Sequence, residues 1–195
     1  MTETVKQTAA PAVNADKMAD KKFEREELIE FLAGNLYNVL QYIMMIEDDF
    51  LRGCHLRAKS IGENLFFLTV DFYRRKGLSC WKHNMSDFIT PKAKELIESG
   101  EKLGGRLIFE HLVPKNIYFE KFKNAVGTKD LTKEFVYEIL DKYYYTCTVT
   151  VAEDELLDKI SMPKDWDGVD AFYRYKKAGI IFEENLHNFK AKNNS

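Results

Sequence analysis

The stretch RLIFEHLVP, Arg106 to Pro114, sets a carboxylate and an imidazole side by side at the end of an apolar run. Those two groups suit metal-assisted hydrolysis, in which a base takes a proton from water while hard oxygen and imidazole ligands hold a cation. Glu110 and His111 are therefore the catalytic candidates. With Glu153 and Asp154, from a later acidic run, they are also the metal-ligand candidates. Cys80 and His83, with Cys54 and His55 upstream, have a spacing that zinc can use. Cys54 falls within an apolar stripe, however, and neighbours on a helix diverge by about 100°, so it reads as a core residue. Three clusters mix cations with aromatics: FYRRKG, KNIYFEKFKN and FYRYKKAG. Arg74, Arg75, Lys76, Arg174, Lys176 and Lys177 are the candidates there for contacting phosphates while the rings stack on bases. The glycine signatures of phosphate loops, dinucleotide folds and serine hydrolases do not occur.

The elements that would carry these residues are mostly helical. Leu28, Leu32, Leu36, Val39, Ile43 and Ile46 recur at steps of three and four, which predicts one long helix with a core-facing stripe. Phe50, Cys54, Ala58, Ile61, Leu65, Leu68 and Phe72 repeat the pattern, predicting a second long helix that ends near Gly77 and packs antiparallel to the first. LSCWKHNMSDF reads as a loop. Thr90, Pro91 and Gly100 mark the cap, first position and end of a short helix. RLIFEHLV and YYTCTVTV read as strands, with helices at 115–127, at 130–143 behind an Asp130 cap, and at 152–160 behind a Thr150–Glu153 capping box. One more short helix ends at Gly179.

The expected fold is mainly α (α+β): an antiparallel pair of long helices, with further short helices around a small two-stranded sheet. The expected organisation is a disordered tail at 1–21, a single domain at 22–188 and a frayed tail at 189–195. Within that frame, Glu110-His111-Leu112-Val113-Pro114 resembles the strand-end His-x-x-Pro of HNH nucleases. The resemblance implies His111 as the base that activates water. It also implies a following strand and helix that supply ligands for magnesium or manganese, here YYTCTVTV and the carboxylates of 153–155. It covers about seven residues, and the helix at 152–160 lacks the His or Asn that the family places there.

Composition bounds the function. The 195 residues are 45% hydrophobic and 31% charged with a net charge of -2, which suits a folded chain without whole-protein attraction to nucleic acid or anionic lipid. Three cysteines are too few and too scattered for a disulfide framework, and no run is apolar enough to predict a membrane span. The N-terminus carries no hydrophobic signal core, so the expected location is cytoplasmic. The leading expectation is a non-enzymatic interaction or regulatory protein of inhibitor, immunity or regulator type. It would need no cofactor and would bind a macromolecule, protein rather than nucleic acid, with a homodimer also open. A metal-dependent nuclease using His111 and a non-catalytic nucleic-acid-binding module are the alternatives.

Overall fold

A computed structural model of the chain describes residues 15–186. Nine helices and four strands follow in order there: α1 (Ala15–Met44), α2 (Asp49–His55), α3 (Ala58–Arg75), α4 (Lys82–Met85), β1 (Phe88–Ile89), α5 (Pro91–Glu98), β2 (Leu107–His111), α6 (Lys115–Ala125), α7 (Lys133–Tyr143), β3 (Thr146–Thr150), α8 (Val151–Asp154), α9 (Tyr173–Lys177) and β4 (Glu183–Glu184). α1 begins at Ala15, inside the segment expected to be a tail. The rest of that tail, 1–14, and the expected C-terminal tail, 189–195, lie outside the described residues.

The α1 stripe buries Leu28, Ile29, Leu32, Leu36, Leu40 and Ile43 against α3 and α7. Burial of each such side chain stabilises the fold by roughly 1.5–3 kcal/mol. Lys76, just past α3, pairs with Glu27 in the first half of α1, and Phe72 and Arg75 at the end of α3 lie against Phe31, so α3 runs back along α1. The second long helix is not continuous. It breaks at Leu56 and Arg57 into α2 and α3, and α2 buries no residue at all. A helix without a buried face cannot draw on tertiary packing to continue the one after it.

The sheet overturns the expected fold class. It is four-stranded and mixed, in the order β2-β3-β1-β4, and the chain is α/β rather than a helical assembly around two strands. β2 pairs antiparallel with β3, β3 parallel with β1, and β1 antiparallel with β4. The two additional strands are two residues each, too short to show any alternation in sequence. β1 extends out of what reads as a loop because Phe88 and Ile89 fall in register with Cys147 and Thr148.

One sheet face carries Phe88, Ile108, Cys147 and Val149 into a small core with Leu157, Tyr175, Ile180 and Phe182. The other carries Phe109, His111, Thr146 and Thr148. Arg25 ties α1 to the sheet: its guanidinium lies 3.6 Å from the Tyr145 ring centroid and donates to Asp87, which in turn accepts from the Thr146 amide. Two predicted helices differ in detail. Thr132, not Asp130, caps α7, since its hydroxyl accepts from the Phe135 amide. The helix expected at 152–160 stops after the single turn α8, although the Thr150–Glu153 capping box is present.

Candidate functional site

β2 lies at the sheet edge, hydrogen-bonded only to β3 among the described strands. Its side chains alternate, so Glu110 and His111 leave opposite faces. The Glu110 carboxylate accepts from the Arg174 guanidinium at 2.7 Å. The same guanidinium donates to the carbonyls of Leu112, His111 and Asp158, and the Arg174 side chain is only 2% exposed. Burial raises the Glu110 carboxyl above its ordinary pKa, and the Arg174 contact pulls it back. Glu110 is thus one pole of a buried ion pair that fastens the end of β2 to α9 and to the 158 turn.

On the opposite face, His111 Nδ1 lies 3.2 Å from the Tyr118 hydroxyl, and the ring packs against Tyr144. Burial depresses the imidazole to a pKa of about 3, with Lys115 and Arg174 adding to the effect, so it is neutral near pH 7. The other metal candidates are spoken for. Glu153 accepts from the Thr90 hydroxyl and from the amide and hydroxyl of Thr150, and Asp154 pairs with Lys159 at 3.0 Å. Among the described residues no group of three or more His, Cys, Asp or Glu converges to hold a metal ion. Glu110, His111, Glu153 and Asp154 therefore form no common site. The zinc spacing dissolves similarly. His83 is buried with Nδ1 3.2 Å from the Thr148 hydroxyl, whereas the exposed Cys80 thiol faces the carbonyls of Val70 and Leu78.

What His111 does face is a cleft. Between α3, the edge of β2 and the start of α6 lies a depression of about 650 Å³ lined by Phe66, Phe109, His111, Lys115, Phe119 and Tyr144. Gly62 of α3 forms its floor. A Cβ there would sit 3.3 Å from the Phe119 ring and 3.5 Å from the Lys115 stem, so glycine is what lets those side chains approach the helix. That glycine, inside an otherwise regular helical stripe, was the sequence signal for the cleft.

The six candidate phosphate-contacting cations are mostly engaged. Arg174 is buried and cannot reach a phosphate, because its guanidinium serves the β2 network. Arg75 pairs with Asp71, Lys76 with Glu27, Lys176 with Asp170 and Lys177 with Asp165. Arg74 alone of the six has no acidic partner among the described residues.

A different surface stands out at the tip where α1 turns into α2. Tyr42, Met45, Phe50 and Leu51 are 65%, 76%, 73% and 51% exposed within ten residues of chain, beside the exposed acidic run 47–49. Periodicity missed it, because Phe50 fits the spacing of a buried stripe that α2 never buries. No described helix is long and apolar enough to cross a membrane. Compared with known protein families, with curated proteins and with solved structures, the chain matches none.

Proposed function

We propose that this chain is a non-enzymatic binding protein of the cytoplasm, of inhibitor, immunity or regulator type, that acts by docking on another protein. The observation that carries this reading is the α1–α2 tip. Large apolar side chains clustered on a surface and rimmed by charge are how a folded protein engages a partner. The acidic run Glu47-Asp48-Asp49 borders the apolar residues, so the partner that fits is a protein with an apolar groove edged by Lys and Arg. The three cysteines are unpaired, in keeping with a reducing compartment.

Tagged full-length protein expressed in its native cell should retain one protein in a stoichiometric complex. Met45→Ser with Phe50→Ser should abolish that complex and leave the thermal midpoint within a few degrees, since neither side chain is buried. Sedimentation of the pure protein as a dimer that the double substitution breaks would put a second copy in the partner's place. Salt-sensitive retention of nucleic acid, or its cleavage with magnesium or manganese, would also overturn the reading.

A further inference from the structure

The geometry points to a second binding site: the cleft between α3, β2 and α6 is built to take a small aromatic carboxylate. Its volume, about 650 Å³, lies within the range of pockets that hold small organic ligands. Phe66 and Phe109 meet edge to face in its wall, with ring centroids 6.5 Å apart, and Phe119 and Tyr144 supply further ring surface. Such walls favour a flat apolar body.

The polar groups specify the other end of the ligand. Tyr118 is fully buried, and its hydroxyl has no hydrogen-bond partner other than His111 Nδ1 among the described residues. A buried hydroxyl proton needs an acceptor, so Tyr118 donates to Nδ1. A neutral imidazole whose Nδ1 accepts must carry its proton on Nε2. Nε2 is not among the buried atoms lacking a partner, and His111 lines the cleft, so this N–H is a donor open to a ligand.

Lys115 provides the charge. The lining also includes Lys59, Glu63 and Glu110; Lys59 is balanced by Glu63 at 3.9 Å, and Glu110 by Arg174 at 2.7 Å. That leaves the Lys115 ammonium as the cation of the lining without an ion pair among the described residues. It stands on the first turn of α6, where the helix dipole adds positive potential and makes a lysine locally unfavourable without an anion. One N–H donor, one ammonium and a helix start of the same sign, above a ring-lined cavity, match a carboxylate carried on an aromatic body.

Calorimetric titration of the full chain with 2-naphthylacetate, its neutral amide and decanoate tests this. The acid should bind one to one, with the amide and decanoate each at least tenfold weaker. Lys115→Met, checked for an unchanged melting curve, should weaken the acid at least tenfold. Equal binding of acid and amide, equal binding of decanoate, indifference to Lys115→Met, or no binding of the acid would each overturn the proposal. Two-bond ¹H–¹⁵N spectra of the imidazole provide a readout independent of any variant. Nε2 should carry the proton in the free protein, and its signal should move with 2-naphthylacetate. A proton on Nδ1 would remove the donor from the cleft and sink the assignment.

Discussion

The two faces of β2 treat neighbouring residues in opposite ways. On one, Glu110 meets a guanidinium that also serves three backbone carbonyls, so its polar capacity is spent inside the fold. On the other, His111 is tied at one nitrogen only and turns the second toward a cleft. A structural role and a binding role thus stand on adjacent residues, about 3.3 Å apart along the strand, divided by its two-residue period.

The sharpest way to break this contrast is to remove Arg174. Arg174→Met leaves a half-buried carboxylate and three carbonyls without their donor, and should cost about 3–5 kcal/mol of unfolding free energy in urea. Glu110→Gln, which keeps a hydrogen-bonding side chain beside the guanidinium, should cost less, about 1–3 kcal/mol. In the double mutant the two losses should not add, because the residues share one network. His111→Phe should cost no more than about 1–2 kcal/mol, its main effect being one hydroxyl left without an acceptor. A His111→Phe loss as large as that of Arg174→Met would erase the distinction between the faces.

Acid should act next. His83 is depressed to about 4 by burial and by Lys82, and His111 to about 3 by burial with Lys115 and Arg174. Both favour the neutral ring in the fold, so their contribution is complete above the ordinary value of 6.5 and is lost as pH falls toward those values. Each imidazole can remove up to about 1.4 kcal/mol per pH unit in that window. Glu110, raised by burial, works in the opposite sense as pH falls from its raised value to its ordinary one, and blunts the fall there. Urea midpoints between pH 7 and pH 5 should drop in the wild type and drop less in His111→Phe. An identical slope in the two would show that His111 is protonated as easily folded as unfolded.

How much of this was legible in the sequence depends on how local each cause is. Thr90, Thr150 and Gly179 announced helix boundaries correctly because a cap or a left-handed glycine acts within a few residues. β1 and β4 were invisible because two residues have no period, and their pairing depends on partners about 60 to 100 positions away. The separation of Glu110 from His111 was available from strand alternation alone, yet a motif of adjacent residues invites reading them as a pair. Arg174 could not be found. It sits in a run of cations, and what buries it is a carboxylate 64 residues earlier in the chain.

Two tyrosines give a finer test of the faces. On the cleft side, Tyr118→Phe removes a made hydrogen bond and should destabilise by about 1 kcal/mol. On the Glu110 side, the Tyr175 hydroxyl is buried without a partner among the described residues. Tyr175→Phe should therefore stabilise by about 1 kcal/mol, since a buried unsatisfied hydroxyl carries its full desolvation cost. Equal signs in denaturant unfolding would contradict the assignment of either hydroxyl.

The smallest effect concerns the cleft floor. Replacing glycine inside a helix by alanine ordinarily stabilises by about 0.5–1 kcal/mol. Gly34 of α1 should show that gain, because a Cβ there meets only the flexible end of Lys133, at 3.5 Å. Gly62 should show less, by several tenths of a kcal/mol, because its Cβ presses on the buried Phe119 ring at 3.3 Å. The shortfall should come with a shift of the His111 imidazole signals, since Phe119 and Lys115 line the same cavity as that ring. If Gly62→Ala matched Gly34→Ala in stability and left those signals in place, the cleft floor would be looser than the packing of α3 on α6 implies. The free space beside His111 would then owe nothing to the glycine.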